Sequence, residues 1–172
     1  MKIGNVEIKN RYFMAPMGGT GQCGPQGEFS EKAIEYYVER AKGGVGAIFT
    51  GVTFSDTKID PIPAGKNVNA NVSPTKFMET ATPMCERIHA HGAKVFIQIS
   101  LGTGRNGLQS SPSELPYTFN PAVTCRALTK EEIKLKIEQE AAAALTAKQA
   151  GFDGVELHAI HEGYLLDQFA ME

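Results

Sequence analysis

Three stretches of the chain place apolar residues with helical spacing. They run from Ser30 through EKAIEYYVERAK to Gly43, from Ser73-Pro74 through TKFMETATPMCERIHAH to Gly92, and from Thr129 through AAAALTAKQ to Gly151. Each ends at a glycine and is followed by a short, continuously apolar run: VGAIFTG, KVFIQIS and GVELHA. Helix-period stretches alternating with apolar runs of strand length predict helix and strand in turn. The ends agree. Ser73 is an N-cap followed by a proline suited to the first helical position, and TKEE at 129–132 reads as a capping box. Pro83 lies inside the second stretch and predicts a kink or a break into two helices. RYFMAPM supplies a strand ahead of the first helix. Before it, IGNVEIKN predicts a small hairpin turning at Gly4-Asn5, a lid on one end of the sheet.

Strand and helix therefore alternate four and three times, which implies a parallel sheet built from crossovers. A doubly wound sheet and a (β/α)₈ barrel both fit that order. Loop lengths favour the barrel. Helix-to-strand connections are short, whereas strand-to-helix connections are long, at roughly 18–29, 52–73 and 101–128, where barrel enzymes build their sites. No G-x-G-x-x-G follows the first strand, which weakens a dinucleotide-binding reading. A whole barrel takes about 250 residues and four strands are present, so the expectation is an α/β fold comprising the N-terminal half of a (β/α)₈ barrel over residues 1–172.

Composition narrows the function classes. A hydrophobic fraction of 42% and a formal net charge of −2 are ordinary for a soluble globular chain, with no basic cluster to draw nucleic acid. No apolar run reaches transmembrane length, and the alternating MKIGNVEIKNRYFMAPM is unlike a signal peptide, so a cytoplasmic protein without a membrane partner is expected. Cys23, Cys85 and Cys125 are far apart and read as free thiols of a reducing compartment.

Candidate chemistry gathers at the strand ends MAPMGG, FTGVTF, QISLGTGR and HAIHEGY. The first two offer small, backbone-rich surface for a flat ligand. The third brings Gln98, an amide that both donates and accepts, and leads to Arg105; the fourth brings His158 and His161. Bland alternatives exist: Gln98 could satisfy a neighbouring backbone group, and Arg105 could be a solvated charge. His89 and His91, at a helix C-terminus, read as favouring the dipole and contacting solvent. Two histidines at i and i+3 could also bind a metal, but without a third ligand, and with Glu162 not a diagnostic partner, that pattern is weak.

Taken together, NRYFMAPM, GGVGAIFTG, VFIQIS…GR, LTKEEI…AAAAL…AKQAGFDGVELHA and EGYLLDQF resemble, in order, the old yellow enzyme family of FMN-dependent NAD(P)H oxidoreductases. HEGYLLDQF is most similar to the branch with 2,4-dienoyl-CoA reductases and bile-acid enone oxidoreductases. The resemblance implies FMN at the C-terminal mouth of the barrel, NADH or NADPH as reductant, and a small-molecule enone or activated alkene as substrate. It implies that Ala15, Pro16, Met17 and Gly18 line the isoalloxazine ring, that Gly51 lies beside it, and that Gln98 bonds its pyrimidine edge. His158 and His161 match paired donors to the substrate carbonyl oxygen, and Tyr164 matches a proton donor.

Two departures from the family pattern stand out. Many relatives space the motif H-x-x-H/N-G-Y, whereas Glu162 adds a residue here, so His161 and Tyr164 are not expected both to keep the usual offset. Relatives also continue beyond LLDQF with four more strands, the phosphate-binding loops and, in some branches, iron–sulfur cysteines and an FAD domain. A half-barrel alone is expected to aggregate, to form a homo-oligomer, or to need the other half. The competing readings are a non-catalytic fragment or binding module, and a metal-dependent barrel hydrolase.

Overall fold

In a computed structural model, residues 1–18, 21–63, 65–161 and 163–171 are described; Glu162 and Gly19 of the MAPMGG turn lie outside them. The elements in order are strands β1 (Lys2–Ile3), β2 (Val6–Glu7) and β3 (Phe13–Met14), helix α1 (Glu31–Lys42), strands β4 (Ala47–Phe49) and β5 (Thr53–Phe54), and helix α2 (Pro74–Ala90). Strand β6 (Lys94–Ser100), a 3₁₀ turn (Gly104–Gly107), strands β7 (Leu115–Tyr117) and β8 (Asn120–Cys125), helix α3 (Lys130–Ala150), strand β9 (Gly154–Leu157) and helix α4 (Leu165–Met171) follow.

The principal sheet is wholly parallel. β3 pairs with β4, β4 with the first half of β6, β5 with the last two residues of β6, and β9 with residues 96–99 of β6. β4 and β5 are thus two pieces of one strand interrupted at 50–52, and the sheet reads as four strands in chain order. This is the strand arrangement of half a (β/α)₈ barrel, as expected. β1 and β2 form the small antiparallel hairpin, turning where Gly4 takes φ +57°. It closes the N-terminal end of the sheet by burying Ile8 against Ala47 and Phe96.

The helices cover one face. α1 presents Ala33, Ile34, Tyr37, Val38 and Ala41 inward, and α2 presents Phe77, Ala81, Met84, Cys85 and Ile88. Both meet Val95, Ile97 and Ile99 of β6 in one core. Phe29, Phe77 and Phe152 form its aromatic centre, with Phe29 and Phe77 5.5 Å apart. The Ser73 cap and the Thr129–Glu132 capping box match the sequence reading, and Ser30 likewise accepts a first-turn N–H.

Three expectations need correction. α2 is not broken into two helices at Pro83. The ring lies on the exposed side, while Ala81, Met84, Cys85 and Ile88 bury the two halves together, which outweighs one missing hydrogen bond. His89 is not simply a solvent-facing residue: its Nε2 lies 2.7 Å from Asp153 Oδ2, whose other oxygen is 3.0 Å from Lys94 Nζ. The 101–128 connection is not a plain loop either. It carries the β7–β8 hairpin, unreadable beforehand because β8 is exposed at five of six positions and shows no alternation.

Both edges of the four-stranded sheet expose apolar side chains. Tyr12 is 76% and Phe13 39% exposed beside β3; Leu157 is 56% and Ile160 79% exposed at β9 and just beyond. Among the described residues no helix is long and apolar enough to cross a membrane.

Candidate active site

The C-terminal ends of the strands open onto a cleft of about 440 Å³, within the ordinary range for small-ligand sites. Pro16 and Gly18 line it from the end of β3, Val52 from the β4–β5 break, Gln98 from β6, and Glu156, His158, His161 and Tyr164 from β9 and the turn after it. Strand pleating explains the last group. Glu156 and His158 stand two residues apart, so their side chains share one face, which Gly154 also occupies without a side chain.

Beyond β9 the chain turns through Gly163, φ +96°, into α4. That turn folds the three rings together: centroids are 4.9 Å apart for His158 and His161, 5.3 Å for His158 and Tyr164, and 4.4 Å for His161 and Tyr164. The expected misfit between His161 and Tyr164 therefore leaves both in the same cleft, and Glu162 itself lies outside the described residues. α4 is anchored from behind. Gln168 donates to Gly163 O and accepts from Arg105 N at 3.4 Å, and Leu165 N donates to Gly102 O at 3.2 Å.

Partial burial lowers the His158 pKa, with the neighbouring His161 acting in the same direction and Glu156 opposing. His158 is neutral at pH 7, with one N–H to donate. Burial raises the Tyr164 phenol, which keeps its proton at neutral pH. The neutral His158 ring and the Tyr164 phenol thus face the cleft as uncharged donors.

The remaining candidates divide. Ala15 and Met17 belong to the same stretch as Pro16 and Gly18 but are not among the residues lining the cleft, and Met17 is 56% exposed. Gly51 is buried beside the cleft, and the close approach it permits is to the chain itself. A Cβ there would lie 2.6 Å from Met17 O and 2.7 Å from Gly18. Its N–H donates to the Tyr37 phenol at 2.9 Å, a group whose burial, partly offset by that bond, pushes its pKa up to about 12. Arg105 is half-buried in the 3₁₀ turn and does not line the cleft, so it does not converge with the strand-end groups.

Sequence reasoning missed Glu156, Val52 and Tyr37. Period two along GVELH would have put Glu156 on the His158 face. Nothing local marked Tyr37, whose role comes from packing across the sheet.

The chain matches, over residues 1–172, the family described as NADH:flavin oxidoreductase / NADH oxidase. It belongs to that family. It is 49% identical to a cinnamate reductase of Clostridium sporogenes over 99% of this chain and 27% of the relative. It is 36% identical to an NADPH dehydrogenase of Halalkalibacterium halodurans over 97% of this chain and 48% of the relative. The chain thus spans about a quarter of the one and half of the other. Among solved structures it superposes on morphinone reductase in complex with tetrahydroNAD, with a TM-score of 0.78 and 25% identity, over 98% of this chain and 50% of that one.

Proposed function

We propose that residues 1–172 form the part of an FMN-binding barrel that holds the flavin ring and the substrate carbonyl of an ene-reductase. The observation carrying this reading is the convergence of Gln98, His158, His161 and Tyr164 on one cleft in a chain of the flavin oxidoreductase family. The cleft suits a flat heteroaromatic ring. One wall is Pro16 and Gly18, without bulky side chains, and Gln98 at its floor can pair with the donor and acceptor edge of a pyrimidine.

Pro16, Gly18 and Gln98 would hold FMN, which when bound would supply hydride transfer from NADH or NADPH to an activated C=C. His158 and His161 direct N–H groups at the carbonyl oxygen of an enone or enoate, where negative charge develops as the alkene is reduced. A preplaced donor of that kind contributes roughly 10²–10³ in rate. Tyr164 retains its phenolic proton and supplies it to the carbon α to the carbonyl. The 49% identity to a protein named cinnamate reductase supports an alkene conjugated to a carbonyl or carboxylate group as substrate.

The apolar edges at β3 and β9 are, in this reading, covered by the rest of a barrel, supplied by further chain or by a second copy. A non-catalytic binding module does not require three titratable rings at the cleft. For a metal-dependent hydrolase, no group of three or more His, Cys, Asp or Glu side chains comes together among the described residues.

The test is an FMN titration of the purified chain, followed by removal of free ligand, a visible spectrum and a native mass. A perturbed flavin band retained on a compact species supports the site, and NAD(P)H oxidation with an enone then follows. His158→Gln should lower turnover on the enone by about 10²-fold with flavin retained. A colourless product counts against a flavin site formed by these residues alone.

A further inference from the structure

Glu156 has no part in the proposal above, yet its carboxylate stands inside the cleft. Its β9 position is directly opposite Gln98 in the β6–β9 pairing, and Gln98 Nε2 donates to Glu156 Oε1 at 2.6 Å. A carboxylate offers only acceptors, whereas a primary amide has a donor end and an acceptor end that look alike in shape. Contact with Glu156 therefore decides which way the Gln98 amide faces. Its nitrogen is held at the carboxylate, and Oε1 is left for the cleft with no hydrogen bond from another described residue. Gln98 is 6% exposed, and its backbone N–H is tied to Thr50 Oγ1 at 3.4 Å, so neither solvent nor a loose backbone scrambles that orientation.

We infer that Glu156 is a positioning residue that fixes the polarity of Gln98, so that the cleft presents a carbonyl oxygen and selects a ligand carrying an N–H donor at that edge. For a flavin this donor is the imide N–H of the pyrimidine ring. The inference rests on the flavin reading for the identity of the ligand, but not for the orientation of the amide.

Two measurements separate these parts. The first compares FMN with FMN methylated at the imide nitrogen, by quenching of flavin fluorescence, in the wild type, Glu156→Gln and Glu156→Ala. The wild type should prefer FMN by about tenfold or more, because the methylated ring leaves a buried acceptor unpaired. In Glu156→Gln the new amide can offer either end to Gln98, and the preference should shrink to about twofold. An equal loss of affinity for both ligands, with the preference intact, would mean only structural support and would overturn the inference. The second measurement is the side-chain amide resonance of Gln98, assigned through Gln98→Ala, in protein without flavin. Its carboxylate-bonded proton should lie downfield of other glutamine amides in the wild type and return to their range in both Glu156 variants. If the wild type binds neither flavin, these residues alone do not form the flavin site, and the resonance still decides the orientation; an unchanged resonance overturns the inference.

Discussion

The cluster around Lys136 and the ring cluster around His158 both sit behind the C-terminal ends of the strands, and both are rich in polar atoms. Around Lys136 the polar atoms face one another. Its ammonium donates to Asp56 Oδ2 and, at 3.2 Å, to Leu101 O, and it pairs in charge with Asp60, whose Oδ2 lies 3.2 Å away without a hydrogen bond. Asp56 also accepts from the backbone N–H groups of Lys58, Ile59 and Asp60. Burial alone would raise its pKa, but those donors and Lys136 outweigh it and hold the carboxyl at about 2. Around His158 the rings pack on one another and face an open cleft, and no described residue makes a side-chain hydrogen bond to them. A saturated cluster fastens the loops after β5 and β6 to α3; an unsaturated one lines the cleft. The Asp153 site at the opposite end of the sheet is of the saturated kind, with Val95 N, His89 and Lys94 all on one carboxylate.

Four perturbations sharpen that contrast. The largest effect is expected from Lys136→Met, which leaves two buried carboxylates without their counter-ion and should cost about 3–5 kcal/mol of unfolding free energy in urea. A second change, Asp56→Asn, should recover part of that loss; no recovery would mean that the ion pair is not the source. Acid should act next. Because the folded pKa of Asp56 is depressed to about 2, its contribution is complete above the unfolded value near 4. It is lost as pH falls through the window from about 4 to about 2, roughly 2 kcal/mol in all. Asp153, also lowered despite its burial, loses its contribution in the same direction, and the fall should be smaller in Asp56→Asn.

Tyr37→Phe removes the phenol that accepts from Gly51 and should cost about 1–2 kcal/mol by leaving a buried N–H unpaired. The same change should loosen the β4–β5 break next to the cleft, readable as faster hydrogen exchange at Gly51 and Val52. The smallest stability effect belongs to the mouth. His158→Gln should leave stability within about 0.5 kcal/mol while lowering turnover as stated above. A loss of several kcal/mol there would place His158 among the saturated groups and erase the distinction.

The alternation of helix-period and apolar stretches and the caps at Ser73 and Thr129 were local signals, so helices, strand order and several of the cleft residues were legible in the sequence. Gln98 and His158 could be named because a polar residue ending an apolar strand has few places to point. The continuity of α2 through Pro83 was not legible, because it depends on what Met84, Cys85 and Ile88 pack against. Nor was the Lys136 cluster. Its members lie 80 residues apart in the case of Asp56 and Lys136, and nothing in either neighbourhood distinguishes them from solvated charges.

The division follows from range. Periodicity, capping and pleat are set by residues a few positions apart, and the amino-acid order alone determined them. Which polar groups cancel one another and which remain free depends on contacts between distant segments. Only the tertiary structure decided that Lys136 is spent on Asp56 and Asp60, that the Gln98 amide faces Glu156, and that the rings of His158, His161 and Tyr164 meet at the cleft.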